Sequence, residues 1–433
     1  MTMIGIPDLY ALFCDHPVVT TDTRDCPAGS IFFALRGATF DGNAFALKAL
    51  EAGCACAVVD DPAVGGDERL LHVPDALAAL QGLAAFHRRR LGTPVVQVTG
   101  TNGKTTTKEL ITAVLRQRFR VLATEGNFNN HIGVPKTLLR LTAADEVAVV
   151  ETGANHPGEI AALSRIADPD CGLITNVGKA HLEGFGSFEG VVRTKGELYD
   201  YLRRKGGYVF LDADNPHLAA IAGGLAAFRY GAPGRGYDVE GELAGDGPML
   251  SLRWRPAGGE WQTVGTHLVG AYNLSNALAA AAVGTRFGVA PEAVSQALAD
   301  YVPTNNRSEL LDTGRNRLIV DAYNANPTSM AAALDNFGRI RSGAKMVILG
   351  DMRELGEASD AEHQAVADRI ARLGCSEAWL VGPNFARTRH EGCRTFADVE
   401  AVKQALAAEP VAGRLILIKG SNATRLFELP ALL

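Results

Sequence analysis

The most restrictive feature of this 433-residue chain is a glycine-rich loop that directly follows an apolar run. The run Val95-Val96-Gln97-Val98 predicts a buried strand, the loop is Gly100-Thr101-Asn102-Gly103-Lys104-Thr105, and a helix is predicted to begin near Lys104. A strand, loop and helix in this order are typical of a mostly parallel sheet covered by helices. Glycines let backbone N–H groups converge on a phosphate, and the helix N-terminus adds partial positive charge. The loop therefore predicts an α/β fold with a phosphate-binding site.

The spacing of the loop is shorter than that of the usual P-loop, which has a glycine where this chain has Val98. Lys104 is expected to reach the β- and γ-phosphates of ATP, and the Thr105 hydroxyl is expected to bind Mg²⁺. The alternative is an ordinary strand–turn–helix junction with a surface lysine, but Gly-Lys-Thr-Thr after an apolar strand favours phosphate binding. The predicted nucleotide-binding residues of the loop are Gly100, Thr101, Asn102, Gly103, Lys104, Thr105 and Thr106.

The chain is longer than one hydrophobic core usually supports, so several domains are expected. Changes in the pattern divide it into residues 1–90, 91–303 and 304–433. Strands alternate with helices in the second and third blocks, which predicts mostly parallel sheets. The predicted strands are 30–35, 57–60, 95–98, 147–150, 172–175, 208–211, 318–321, 346–349, 379–381 and 415–418, and the predicted helices include 76–90, 274–287, 329–337, 361–373 and 399–408.

Composition and charge exclude several classes of protein. With 47% hydrophobic and 21% charged residues, the chain has the composition of a globular protein and not of a disordered one. A net charge of -6 gives no reason to expect a nucleic-acid partner. The seven cysteines are scattered, and neither a signal-peptide pattern nor an apolar run of membrane-spanning length is visible. We therefore expect a cytoplasmic protein without a membrane partner.

Three further residues are candidates for chemistry, although each has an ordinary structural interpretation. Glu151 ends the predicted strand 147–150 and would lie beside the loop in a parallel sheet, but a strand-end glutamate is more often a solvated cap. His181 follows the strand 172–175, and a lone histidine is usually structural or on the surface. Lys195 resembles any lysine on a helix surface. Taken singly, none of the three predicts a function.

Motifs along the chain, in the same order, resemble those of the Mur ligase family of peptidoglycan synthesis. The family resemblance rests on GTNGKT at 100–105, GNFNNHIGVP at 126–135 and NVGKAHLEG at 176–184. Three other segments resemble the branch of the family that joins D-alanyl-D-alanine to UDP-N-acetylmuramoyl-tripeptide, namely DTRDCPAGSIFFALRG at 22–37, DAYNANP at 321–327 and LGDMRELG at 349–356. The resemblance covers essentially the whole chain.

The resemblance implies a small α/β N-terminal domain that holds the uridine nucleotide, a central P-loop ATPase domain and a C-terminal Rossmann-like domain. It implies ATP and two Mg²⁺ ions, one bound by Thr105 and Glu151 and the other by His181 and a carbamylated Lys195. Lys104, His181 and Lys195 are the catalytic residues on this interpretation. Asn276 resembles the family's adenine-contacting asparagine. Arg307 resembles its interdomain nucleotide-binding arginine, and Asp321 its ribose-binding aspartate.

The resemblance also implies that the partners are the two small-molecule substrates, UDP-MurNAc-tripeptide and D-alanyl-D-alanine, and it suggests a monomer. Candidate substrate-binding residues are Arg36, Asn43, Asn129, Asn130, Asn324 and Asn326, of which Arg36 and Asn43 are assigned to uridine and Asn324 and Asn326 to the dipeptide. Two alternatives stay open. One is another Mur-type ligase that adds a single amino acid, and the other is a non-catalytic P-loop protein that senses ATP. The third residue of the tripeptide also stays open between diaminopimelate and lysine.

Overall fold

The computed structural model describes residues 3–303 and 307–433, which form three α/β domains around three separate sheets. The N-terminal sheet has four parallel strands in the order β1-β2-β3-β4. Its strands are β1 (Val19–Thr20), β2 (Ile31–Phe33), β3 (Cys56–Val59) and β4 (Leu70–His72), and its helices are α1 (Ile6–Asp15), α2 (Ala46–Glu51) and α3 (Ala76–Leu91). The predicted start of the third block at Thr304 lies outside the described residues.

The central sheet has nine strands in the order β13-β12-β11-β10-β9-β8-β5-β7-β6. Its strands are β5 (Val95–Thr99), β6 (Val121–Ala123), β7 (Val147–Glu151), β8 (Cys171–Ile174), β9 (Tyr208–Asp212), β10 (Ala226–Gly231), β11 (Val239–Leu243), β12 (Met249–Pro256) and β13 (Gln262–Val269). Its helices are α4 (Lys104–Leu115), α5 (Gly133–Leu138), α6 (Glu159–Ala167), α7 (Leu182–Phe185), α8 (Phe188–Lys205), α9 (Pro216–Ile221), α10 (Leu274–Arg286) and α11 (Pro291–Asp300). The predicted parallel pairing is confirmed for β5 to β11, and the antiparallel strands β12 and β13 extend one edge.

The C-terminal sheet has six strands in the order β14-β15-β19-β16-β17-β18, and only the edge strand β14 runs antiparallel to its neighbour. Its strands are β14 (Glu309–Asp312), β15 (Arg317–Asp321), β16 (Lys345–Gly350), β17 (Glu377–Val381), β18 (Cys393–Phe396) and β19 (Leu415–Lys419). Its helices are α12 (Pro327–Arg339), α13 (Ser359–Ile370) and α14 (Val399–Ala408). This parallel α/β arrangement agrees with the Rossmann-like expectation.

Strand register brings chemically useful residues to the carboxyl ends of two sheets. Val98 of β5 pairs with Glu151 of β7, so Glu151 lies beside the start of the glycine loop. In the C-terminal sheet, Asp321 at the end of β15 pairs with Lys419 at the end of β19. Open parallel sheets bind ligands at these carboxyl ends. Both sheets therefore present candidate site residues at the edge where ligands are expected.

The domains are joined in two different ways. One apolar cluster runs without interruption from the N-terminal sheet into the central sheet, and it includes Ile31, Val58, Leu83 and Ala148. The C-terminal sheet instead packs its helices around two clusters of its own, to which the central sheet contributes Val269 and the partly buried Met249. Among the described residues, no helix combines the length and the apolar character needed to cross a membrane.

Candidate functional site

The glycine loop adopts a backbone conformation that requires glycine at two positions. Gly100 and Gly103 have φ angles of +144° and +75°, in the region that side chains disfavour. A Cβ atom at Gly100 would collide with the Thr175 hydroxyl, and one at Gly103 would lie 2.7 Å from Oδ1 of Asn276. These close approaches explain why the loop contains glycine where it turns from β5 into α4.

The loop is held by hydrogen bonds to the segment that follows β8. The backbone N–H of Thr101 donates to the carbonyl of Asn176 at 3.0 Å, and that of Asn102 donates to the Asn176 side-chain oxygen at 3.0 Å. The Thr175 hydroxyl donates to the carbonyl of Asn102 at 2.6 Å. A loop fixed in this way is pre-organised to present its backbone to a ligand.

Lys104 is the first residue of α4, as the sequence predicts. Its ammonium group donates to the carbonyls of Gly100 and Thr101, at 3.0 Å each. Burial lowers the pKa of Lys104, the Glu151 carboxylate opposes that shift, and the Arg307 charge adds to it. The lysine side chain therefore lies inside the loop, with Glu151 and Arg307 as its charged neighbours.

Glu151 is buried, with 1% of its surface exposed, yet only one of its carboxylate oxygens is hydrogen-bonded. Oε1 accepts a hydrogen bond from the Asn129 amide at 2.7 Å. Oε2 has no hydrogen-bond partner within the described part of the chain. A buried carboxylate oxygen without a partner is costly unless a cation or another donor satisfies it. Oxygen is also the ligand that Mg²⁺ prefers, so this carboxylate fits the predicted metal ion.

Lys195 and His181 both contact the ring of Phe185. The Lys195 ammonium on α8 lies 5.3 Å from the centre of that ring and donates to the Ala154 carbonyl at 3.3 Å. The His181 ring meets the same phenyl ring edge-on, with 6.2 Å between the ring centres. Burial, with a smaller effect of the Lys104 charge, lowers the pKa of Lys195 to about 7. Burial also lowers the pKa of His181, against the opposing effect of the Glu354 carboxylate that contacts it.

The predicted metal ligands do not include a dense cluster of acidic, cysteine and histidine side chains. In residues 3–303 and 307–433, no group of three or more such residues is placed to hold a metal ion by itself. Mg²⁺ is commonly bound by one or two protein ligands together with substrate phosphates and water. A site for Mg²⁺ therefore does not require such a cluster, and the assignment of Thr105 and Glu151 to the ion stays a prediction.

The C-terminal domain contributes the other side of the site. The Arg307 guanidinium stacks on Tyr323, with its central carbon 3.7 Å from the ring centre, and its buried Nε has no hydrogen-bond partner among the described residues. Asp321 accepts a hydrogen bond from the Lys419 ammonium at 2.5 Å. Asn326 caps α12 and donates its amide to the Asn102 side chain at 2.8 Å. The last of these contacts closes the C-terminal domain onto the glycine loop.

A cavity of about 870 Å³ lies between the central and C-terminal domains. The predicted residues that line it are Thr101, Asn102, Gly103, Lys104, Thr105, Thr106, Asn129, Asn130, Glu151, His181, Asn276, Arg307, Asp321, Asn324 and Asn326. A second cavity of about 570 Å³ shares Thr105, His181, Arg307, Asn324 and Asn326 with it. The structure thus brings together residues that are more than 200 positions apart in the sequence.

Four predicted residues lie elsewhere. Gly100 is behind the loop, against Thr175, and Lys195 is buried on α8 outside the cavity lining. Arg36 and Asn43 are in the N-terminal domain, where both donate to one carboxylate oxygen of Asp60, at 3.0 Å and 2.8 Å. Their assignment to uridine stays a prediction.

Asparagines around the cavity are already engaged in local hydrogen bonds. Asn276 donates to the Asn273 side chain at 2.8 Å and accepts from the Thr107 hydroxyl at 3.1 Å. Asn130 accepts the N–H groups of Ile132 and Gly133 at the start of α5, at 3.0 Å and 2.8 Å. Asn324 accepts the N–H of Ala325 at 2.8 Å. These bonds fix the orientation of the three side chains.

Two residues at the site were missed by the sequence interpretation. Glu354 contacts His181 from the C-terminal domain, and Lys419 holds Asp321. Glu354 lies inside the LGDMRELG segment, which was used only for the family resemblance. Lys419 is the last residue of an otherwise apolar strand. A charged residue at the carboxyl end of a parallel strand is a signal for a ligand-binding edge, and it could have indicated Lys419.

Comparisons with known proteins cover all three domains. The description "Mur ligase family, catalytic domain" matches residues 17–88, "Mur ligase middle domain" matches 98–284, and "Mur ligase, glutamate ligase domain" matches 306–422. A Bacillus subtilis (strain 168) protein named UDP-N-acetylmuramoyl-tripeptide–D-alanyl-D-alanine ligase is 36% identical over 425 residues, which cover 95% of this chain and 92% of the relative.

Solved structures are also similar to this chain over nearly its whole length. A crystal structure of MurF from Acinetobacter baumannii is similar with a TM-score of 0.86 and 32% identity, over 95% of this chain and 92% of that chain. The crystal structure of a MurF ligase from Thermotoga maritima in complex with ADP is similar with a TM-score of 0.86 and 25% identity, over 96% of both chains.

Proposed function

The chain belongs to the Mur ligase family, and we propose that it uses ATP to join D-alanyl-D-alanine to UDP-N-acetylmuramoyl-tripeptide. The observation that carries this proposal is the cavity in which Lys104 and Glu151 of the central domain face Arg307 and Asp321 of the C-terminal domain. A phosphate-binding loop opposite a second ligand-binding sheet is suited to activating one substrate and receiving another. We further propose the domain limits 1–90, 91–303 and 304–433 and a monomeric, cytoplasmic enzyme.

The bond to be made requires activation, because joining a carboxylate to an amine in water is uphill. The terminal carboxylate of the tripeptide attacks the γ-phosphorus of ATP, which forms an acyl phosphate and releases ADP. The dipeptide amine then attacks the acyl carbon and loses a proton, and phosphate leaves. Lys104 offers positive charge to the transferring phosphoryl group, where electrostatic stabilisation and positioning are the main means of catalysis.

Thr105 and Glu151 would hold one Mg²⁺ ion, and His181 with carbamylated Lys195 would hold a second. The unpartnered oxygen of Glu151 supports the first pair. When bound, the two ions supply positive charge that reduces the repulsion between the attacking carboxylate and the phosphate. The remaining ligands of each ion would come from water and phosphate oxygens, as is usual for Mg²⁺.

The environment of Lys195 supports carbamylation. A lysine with a pKa of about 7 is neutral in a large fraction of molecules at neutral pH, whereas an ordinary lysine is almost always protonated. CO₂ adds to the neutral amine, a proton is released, and the product is an anionic carbamate. The side chain would thereby change from a buried cation into an oxygen ligand for a metal ion.

Polar residues of the C-terminal domain support binding of the nucleotide and of the second substrate. Arg307 and Asp321 line the larger cavity beside the glycine loop and are assigned to ATP, as is Asn276. Asn324 and Asn326 border both cavities and are assigned to the dipeptide. We assign Asn129 and Asn130, which line the larger cavity, to substrate binding, and Arg36 and Asn43 to the uridine nucleotide.

Analysis of the product by mass spectrometry tests the proposal against its alternatives. The protein is incubated with ATP, Mg²⁺ and UDP-MurNAc-tripeptide, and in parallel samples with D-alanyl-D-alanine, D-alanine, D-glutamate or L-lysine. We expect a new nucleotide-linked product only with the dipeptide, and equal amounts of ADP. A product with a single amino acid would replace the proposal by a different Mur-type reaction, and hydrolysis without any product would favour the ATP-sensing alternative.

A further inference from the structure

A glutamate of the C-terminal domain contacts the proposed metal ligand His181 of the central domain. One carboxylate oxygen of Glu354 meets Nδ1 of the His181 ring. The backbone carbonyl of Glu354 also accepts the N–H of Glu183 at 3.3 Å, in the first turn of α7. Two separate contacts therefore connect this residue to the segment that carries the histidine.

The loop that presents Glu354 is firmly anchored in its own domain. Met352 and Leu355 on either side of it are buried, with 1% and 3% of their surfaces exposed. The N–H of Met352 donates to Nε2 of the buried His363 at 3.0 Å. The Asp351 carboxylate accepts the N–H groups that begin the turn after β17, at 2.9 Å and 3.0 Å. The backbone that carries Glu354 is thus anchored on both sides within the C-terminal domain.

Both partners have unusual backbone conformations. His181 has a φ angle of +49° and Glu354 one of +60°, and positive φ is uncommon for residues other than glycine. Such conformations persist when the surrounding structure enforces them, and they concentrate at functional sites. The side chains are also partly exposed, at 25% and 51%, so their contact adds little to stability.

We propose that Glu354 is a positioning residue for His181, and that it acts only when the C-terminal domain is closed on the central domain. A carboxylate on Nδ1 keeps the proton on that nitrogen and leaves Nε2 free of a proton, which is the form of histidine that binds metal ions. Because Glu354 comes from the other domain, closure would complete the second metal site. This inference rests on the proposed function, which supplies the second metal ion.

A neighbouring ion pair provides a matched control. Lys179, two residues before His181, donates to the Glu362 carboxylate at 2.6 Å, and Glu362 also belongs to the C-terminal domain. Glu362→Gln removes an interdomain charge pair on the same segment without altering the contact with His181. If Glu354 acted only by holding the domains together, the two substitutions would have similar effects.

Binding of Mn²⁺ measured by electron paramagnetic resonance tests the inference without requiring turnover. The full chain is saturated with a non-hydrolysable ATP analogue in bicarbonate buffer and titrated with Mn²⁺. We expect two bound ions in the wild type. Glu354→Ala should weaken one of them by about 10- to 100-fold and leave the other unchanged. Glu354→Gln, which keeps a hydrogen-bond acceptor but no charge, should fall between, and Glu362→Gln should bind as the wild type does.

The outcomes are distinguishable. The positioning role would be overturned if Glu354→Ala bound two Mn²⁺ ions with unchanged affinity, or if Glu362→Gln lost as much affinity for Mn²⁺ as Glu354→Ala does. Either result would leave the proposed function intact. A single bound ion in the wild type would overturn the second metal site itself and with it this inference. Selective loss of one ion in Glu354→Ala, with partial recovery in Glu354→Gln, supports the inference because a merely unfolded loop would not recover in this way.

Discussion

The central domain meets its two neighbours through interfaces of opposite character. Toward the N-terminal domain the interface is mainly apolar, and one cluster contains Leu9 and Phe33 from one side and Val134 and Val150 from the other. Toward the C-terminal domain the described contacts are mainly polar. They include the pairs Asn102–Asn326, Lys179–Glu362, His181–Glu354 and Tyr272–Ser308.

This difference separates a permanent interface from one that can open. Burial of apolar surface is worth about 25 cal/mol per Å², so a continuous cluster fixes two domains together. Exposed ion pairs and hydrogen bonds each contribute about 1 kcal/mol or less, and water replaces them when the domains part. A ligase must admit two substrates and then exclude water from a reactive acyl phosphate. The polar interface is the one suited to that opening and closing.

The largest expected effect comes from the glycine loop, which the C-terminal domain contacts through the Asn102 side chain. Lys104→Ala removes the positive charge that lies between the loop carbonyls. We expect turnover to fall by at least about 1000-fold, in the range seen when a phosphoryl-stabilising cation is lost. Steady-state ATP turnover measures the activity, and thermal unfolding shows whether the variant keeps its stability. Near-normal activity in this variant would remove Lys104 from the catalytic assignment.

Lys195→Ala should lower activity by at least about 100-fold because it removes a proposed metal ligand. A short carboxylate such as acetate or propionate should restore part of the activity, since it can occupy the space and supply the missing anionic oxygen. Initial rates measured with and without the added acid test this. A fully active variant would eliminate the carbamate from the mechanism.

The two interfaces are compared directly by one substitution in each. Leu83→Ala on α3 removes a fully buried side chain from the apolar cluster, and we expect a loss of about 2 to 5 kcal/mol in the free energy of unfolding. Glu362→Gln in the polar interface should cost no more than about 1 kcal/mol. Urea unfolding measures both. Equal losses would contradict the distinction between the interfaces.

A smaller, pH-dependent effect is expected inside the apolar interface. His87 lies there with Nε2 2.8 Å from the Leu141 carbonyl, and burial lowers its pKa below the usual 6.5. The unfolded chain therefore binds a proton on this histidine more readily than the folded chain does, so stability falls as the pH drops below about 6.5. Unfolding free energies at pH 7.5 and 5.5 should differ less in His87→Gln than in the wild type. The same difference in both would contradict this assignment.

The central half of the site could be predicted from the sequence because its chemistry is local. An apolar strand, two glycines and Lys104 lie within ten residues, and the helix begins at Lys104 as expected. Glu151 could be placed because neighbouring parallel strands end at the same edge. Each inference needed only short segments and the geometry of a parallel sheet.

The C-terminal half could not be derived in this way, because it depends on how two domains pack. No local pattern indicates that Glu354 meets His181, 173 positions away.

The antiparallel strands β12 and β13 of the central sheet were also missed, although alternate residues of β12 such as Leu250, Leu252 and Trp254 are buried. Their period-two pattern, with Ser251, Arg253 and Arg255 at the alternate positions, was a usable signal for a strand.

The most direct test of the account is phosphate release with ATP and Mg²⁺ when each substrate is added alone and when both are present. If the cavity between the domains activates a carboxylate for attack by an amine, UDP-MurNAc-tripeptide or D-alanyl-D-alanine alone should give little phosphate. Both together should give rapid release that matches the amount of product. Phosphate release that is independent of the dipeptide would contradict the account.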